Sequence, residues 1–298
     1  MQVLVVGPMS RFRQALRLAP AQVPAWCLQA GLIVLIASCC IPIQASEDES
    51  LQRGRALMEA VFEQSTGMQL AALQRMELTE PGREPRVREL RIFRRSPGDS
   101  PAATLIRFTA PGDIAGTGLL SIGDSLAGVD QWVYLPAHGR VRRIPGGRQG
   151  GRFAGSDFFY EDLRDRPVSL DEHRWLGEEW LDGYRVERIE SRPIDRASSS
   201  YSRRILWIDR ERALPLRIDY YRTRDNQAFK RFKALAIERI GDFHVISDSL
   251  MKDLAGNHQT RLRQLCMEQR DDLPDYLFTH RALEDPSLDR LFRPCNNS

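Results

Sequence analysis

The sequence predicts a mainly β (α+β) protein built on a single antiparallel sheet. Three observations lead there. Apolar and polar residues alternate with period two over many short segments, and the breaks between them are turn formers rather than helix-length crossovers. One amphipathic helix stands ahead of them all. Sequential strands joined by short turns pair as hairpins, which excludes a doubly wound α/β fold.

The helix opens at Ser46, which with Glu49 makes a capping box, and carries Leu51, Ala56, Leu57, Met58, Val61 and Phe62 on one side before ending near Gly67. Strands are expected over 68–78, 86–95, 103–109, 116–122, 131–135, 139–144, 184–191, 201–209, 214–221, 229–240, 243–251 and 258–267. Glu80-Pro81-Gly82, Ser96 to Asp99, Pro111-Gly112-Asp113, Pro136 to Gly139 and Gly256-Asn257 separate them. In 214–221 strict alternation puts Leu214, Leu216, Ile218 and Tyr220 on one face and Arg217, Asp219 and Tyr221 on the other. A short helix or turn is expected at 155–163, and a weaker helical pattern runs from Pro274 to Leu291. Strands with one oily and one charged face need a cover on the oily side. The helix and the apolar strand at Trp132 are the expected cover, over a space that is either a packed core or a ligand cavity.

Residues 1–45 read as a secretory signal. Arg11, Arg13 and Arg17 form the positive region, Leu28 to Ala37 the apolar region, and Ala45 offers a small residue before the acidic Glu47-Asp48-Glu49. The apolar run falls short of the ~20 residues of a membrane span. Ile36-Ala37-Ser38-Cys39 is the alternative, a lipobox in which Cys39 would be lipidated and anchor the protein to a membrane. Residues 46–298 then form one domain with a C-terminal tail. Without the three leader arginines the chain has 40 basic and 40 acidic side chains, which removes the electrostatic case for nucleic-acid binding. Outside the leader two cysteines remain, Cys266 and Cys295, which in an oxidising compartment are either a disulfide or two free thiols.

Candidate chemistry is sparse, and no enzyme, catalytic residue, metal or cofactor is expected. Gly123-Asp124-Ser125-Leu126 spells the nucleophile block of a serine esterase family, but the Asp-x-x-His that would activate the serine is missing, and Gly, Asp and Ser suit a turn. His138, His173, His244, His258 and His280 are scattered, without metal-ligand spacing. The run Gly146 to Gly151 lacks the Lys-Ser/Thr of a phosphate loop and reads as a flexible connection, a candidate gate. Charge and aromatics concentrate in 132–163. There Arg140, Arg142 and Arg143 precede Asp157, Glu161, Asp162 and Asp165, so a guanidinium–carboxylate clamp is expected, with a docking surface for a partner protein as the alternative.

The run WVYLPAHGRVRRI followed by GSDFFYEDL resembles the signature block of the outer-membrane lipoprotein-sorting protein family, in its LolA-like branch. Phe108 to Pro111 before Gly116-Thr117-Gly118, and Leu206 to Asp209 before Leu214-Pro215-Leu216, are weaker matches. The glycine-rich stretch 146–151 departs from the family pattern. The resemblance implies a LolA/LolB-like half-open barrel, one curved antiparallel sheet closed by a helical lid over a hydrophobic cavity. It implies a non-catalytic periplasmic carrier of lipid or lipoprotein acyl chains between envelope membranes, with an RND-type exporter of the inner membrane as a partner. By alternation the cavity residues would be Phe108, Leu119, Trp132, Tyr134, Trp207, Leu216, Ile218 and Tyr220. Arg142, Arg143, Gly155, Ser156, Asp157, Glu161 and Asp162 would form the family motif and clamp. A non-transporting accessory subunit of an export complex and, remotely, a GDSL-type esterase are the competing functions.

Overall fold

The computed structural model describes residues 47–124, 128–223, 225–289, 292, 294 and 295. The signal-peptide and lipobox expectations, Ser46, and Ser125 of the esterase-like block lie outside these residues. Helix α1 (Glu47–Thr66) is followed by β1 (Leu70–Thr79), β2 (Arg86–Arg95), β3 (Ala102–Ala110), β4 (Gly118–Asp124), β5 (Gly128–Leu135) and β6 (Arg140–Arg143). After a connection made of 3-10 turns come β7 (Asp171–Leu181), β8 (Tyr184–Pro193), β9 (Arg203–Asp209), β10 (Leu214–Tyr221), β11 (Lys230–Ile240), β12 (Phe243–Asp253) and β13 (Gln259–Gln269). A short α2 (His280–Glu284) closes the described chain.

All thirteen strands form one antiparallel sheet in the order β6-β5-β4-β3-β2-β1-β13-β12-β11-β10-β9-β8-β7. Two meanders are joined where the first strand pairs with the last, so β6 and β7 are the free edges and the curved sheet stays open between them. The chain crosses from one edge to the other through residues 144–170, and this connection is the piece on which the interior depends.

The two faces carry separate cores. On the outer face Ala71, Phe93, Leu105, Leu120 and Trp132 form a row of cross-strand neighbours, covered by Leu273, Leu277, Phe278 and Leu283 of the C-terminal segment. Arg107, 1% exposed, fixes that cover. Its Nε donates to Asp289 Oδ2 at 2.9 Å, Nη1 to the carbonyls of Gly116 and Leu283, and Nη2 to the carbonyl of Ala282. Gly118 packs closely beside it, and a Cβ there, 2.7 Å from Leu283 Cδ1 and 3.0 Å from Arg107 Nη1, would force those side chains to shift. Cys266 and Cys295, Cα atoms 6.3 Å apart, are joined as a disulfide.

On the inner face α1 lies across the β7–β10 half, with Leu57 and Val61 against Ile189, Leu206 and Ile208. Burying side chains of this kind contributes roughly 1.5–3 kcal/mol each. Gly54 permits the approach, since a Cβ would meet the His173 carbonyl oxygen at 2.4 Å. Arg53 spreads over the Trp175 ring at 4.1 Å and donates to Glu187 at 2.9 Å.

Three sequence expectations need correction. The strand at Trp132 is part of the sheet and not a cover. Strand β7 is absent from the expected set because DEHRWLGEEWL carries five charged residues in eleven and breaks its alternation at Gly177 (φ +121°), where the pairing with β8 shifts register. The Gly146–Gly151 stretch, expected as an unstructured connection, holds a 3-10 turn over Gly146–Arg148 with Gln149 buried after it, and Gly150 packs so closely on Ser200 that a Cβ would lie 2.6 Å from its hydroxyl.

Candidate functional site: the concave face and its plug

The connection 144–170 turns into the concave face and plugs the β1–β6 half. Phe153 stacks on Phe108 with centroids 5.3 Å apart, among Met76, Leu90, Ile106 and Leu119. Phe158 packs with Tyr201, Tyr220, Phe229 and Met251 of the other half. Positive φ at Ala154 (51°) and Gly155 (72°) makes the tight bend that sends both phenylalanines inward.

Each carboxylate of the plug has a partner far along the chain. Asp157 accepts from the Thr260 hydroxyl at 2.8 Å and from its other oxygen faces His258, with Arg152 at 3.5 Å. Ser156 beside it is fully buried. Glu161 accepts from the Ser199 hydroxyl and, at 2.7 Å, from the Ser200 N–H. Asp162 takes three bonds: the Phe159 N–H at 2.7 Å, the Tyr201 hydroxyl at 2.7 Å and Lys230 Nζ at 2.5 Å. Lys230 is 1% exposed and sits 3.7 Å from the Phe159 ring centroid and 4.6 Å from that of Tyr220. Burial pushes its pKa down, against the pull of Asp162; burial and the same carboxylate push the Tyr201 phenol well up.

The expected clamp is therefore replaced. Arg142 and Arg143 lie exposed on the edge strand β6, and Arg143 pairs with Asp130 at 2.5 Å rather than with the plug. Asp157, Glu161 and Asp162 face the opposite way, toward groups near or on β9, β11 and β13. Asp165 pairs with Arg94 on β2 at 3.3 Å.

The concave face keeps two apolar lobes beside the plug, the first between the plug and α1 and the second between the plug and the sheet. One, about 250 Å3, is walled by Met58, Val61 and Phe62 of α1 with Leu206, Pro215 and Ile218. The other, about 240 Å3, is walled by Met76, Leu90, Ile92, Ile106, Leu163 and Phe232. Arg164 and Asp165 line both. Each falls just under the ~300–1,000 Å3 of small-molecule sites. A further hollow of about 250 Å3 on the rim is walled by arginines and serines, including Arg192, Arg196, Arg203 and Arg222, and offers no wall for an alkyl chain.

Of the residues expected in a cavity, Ile218 lines a lobe. Phe108 and Leu119 are on the concave face but lie under the plug, and Tyr220 belongs to the Lys230 cluster. The other four are on the outer face. Trp132 and Tyr134 meet the C-terminal cover, and Trp207 and Leu216 pack with Val186. A bulge causes the Leu216 error: the β9–β10 register slips between Pro215 and Arg217, so Leu216 joins Trp207 while Ile218 and Tyr220 stay inside. Alternation named none of the lobe residues on α1, β1 or β2, nor Arg164.

Asp157, Asp253 and His258 also converge, their ligand-type atoms all within 4.8 Å, though 96 residues separate Asp157 from Asp253 in the chain. The Arg152 guanidinium is 3.0 Å from Asp253 Oδ2, so the group already surrounds a cation.

The open, curved antiparallel sheet matches outer-membrane lipoprotein-sorting, LolA-superfamily proteins, and solved structures of that kind superpose on this chain. A DUF1329 family protein from Desulfovibrio piger matches at TM-score 0.73 and 26% identity, over 78% of this chain and 99% of its own. A putative outer membrane lipoprotein-sorting protein domain from Vibrio parahaemolyticus matches at TM-score 0.73 and 24% identity, over 79% and 100%. A LolA superfamily protein from Nitrosomonas europaea gives 0.61 and 19%, over 76% and 97%. No curated protein matches the sequence. Residues 101–285, more than half of the chain, match the model of a family described as "Uncharacterized protein", and the chain belongs to that family.

Proposed function

We propose that this protein is a periplasmic carrier that takes acyl chains of a lipid or lipoprotein into the two lobes and moves them between envelope membranes. The observation that carries the reading is the pair of apolar lobes beside the plug, one of them under α1, on the concave face of a lipoprotein-sorting fold. Apolar walls gain from alkyl burial at about 0.8 kcal/mol per methylene, a gain that must outweigh the cost of immobilising the chain. Among the described residues no helix is long and apolar enough to cross a membrane. Export through the 1–45 leader, with lipidation at Cys39 as the alternative, and an RND-type exporter as the handover partner are parts of this proposal. Displacement of a fluorescent apolar probe by alkyl ligands tests it. Wild type should bind, and Ile218→Trp, which fills one lobe, should weaken binding about tenfold; no probe binding by the folded protein would refute the carrier. The extent of the plug favours the second reading, an accessory subunit with a filled core, for which that negative result is the expected one.

A further inference from the structure

Arg164 lines both lobes, and its hydrogen bonding is incomplete. Nη2 donates to the Ser198 carbonyl at 3.2 Å, and the buried Nε has no acceptor. The carboxylates around it are engaged elsewhere. Asp171 is gripped by Arg166 at 2.7 Å and by Arg204, Asp165 by Arg94, and Glu161 by Ser199 and Ser200. Arg204, also on a lobe wall, has a buried Nε without an acceptor. Burial depresses the Arg164 pKa, with the nearby Glu161 charge opposing it, as expected of a guanidinium short of counter-charge. A buried donor without a partner costs about 1–3 kcal/mol, and a bound group that supplies an acceptor removes that penalty.

We propose that the cavity selects amphiphiles with an anionic head, an alkyl carboxylate or alkyl phosphate, whose oxygens accept from Arg164 while the chain lies along the lobes. This rests on the carrier reading and adds the charge of the head group. A neutral ester or diacylglyceryl group offers weaker acceptors and leaves the guanidinium uncompensated.

The test measures displacement of the apolar probe 1-N-phenylnaphthylamine from the purified protein at neutral pH by palmitate, hexadecyl phosphate and methyl palmitate. Wild type should bind at least one of the two anions about tenfold or more tighter than the ester, and the stronger of the two identifies the head. In Arg164→Met the ratio of ester to anion dissociation constants should fall to about one, and Arg164→Lys should retain most of it. Equal binding of all three ligands by wild type would overturn the inference while leaving the carrier standing. Displacement by none would overturn both. The wild-type ratio decides the matter even if Arg164→Met fails to fold.

Discussion

Removing the Asp162 carboxylate strands a buried ammonium, so the anchor of the plug can be tested by a pair of variants. In Asp162→Ala, Lys230 loses the one anion it bonds among the described residues, 2.5 Å away, while remaining 1% exposed among Phe159, Tyr201 and Tyr220. Breaking a buried pair by deleting one partner costs about 3–5 kcal/mol. The Phe159 N–H and the Tyr201 hydroxyl lose their acceptor as well, which adds to that cost. For a domain of roughly 250 residues each kcal/mol shifts Tm by ~2–4 °C, so a fall of about 6–20 °C is expected in circular-dichroism melts. Replacing both charges, in Asp162→Ala/Lys230→Met, removes the stranded ammonium and should recover a large part of that loss. A single-variant shift below about 2 °C, or a double variant no more stable than the single, would refute the anchor.

Other consequences can be checked in the same way. Asp289→Ala leaves Arg107 buried without its carboxylate and should cost about 3–5 kcal/mol in urea unfolding, with protease sensitivity appearing first in the C-terminal cover. Reducing Cys266–Cys295, which closes a loop over 29 residues, should cost about 3.5 kcal/mol on the chain-entropy relation. His173 is buried between Ser191 Oγ at 2.8 Å and the Val168 carbonyl at 3.0 Å, and burial holds its pKa below the ordinary value. Its stabilising contribution is therefore present above the unfolded-state pKa of ~6.5 and lost as pH falls from there through the folded value. Melting temperature should decline over that interval, and His173→Gln should flatten the decline; an unchanged slope would rule out His173 as the titrating group.

How much was legible follows from where the determinants lie along the chain. The leading helix and most strands show in local periodicity, and the turn formers between them predict the meander. Whatever depends on a partner far away does not show. Asp157, Glu161 and Asp162 looked matched to the arginines twenty residues upstream, but β6 and the plug are turned apart, and the real partners lie about 38 to 103 residues further on. A single bulged residue in β10 was enough to turn Leu216 from the inside to the outside. The charged β7 is a strand because α1 and β8 cover it, and neither is visible in its own letters. Arg164 gave no local signal at all, since its significance comes from the lobes on either side.

The measurement that tests the central claim most directly is mass spectrometry of an organic extract of the protein purified natively from its own envelope. The carrier account predicts acyl-bearing lipid or lipopeptide at close to one molecule per chain, reduced in Ile218→Trp. A clean extract from folded protein with both lobes intact would contradict it.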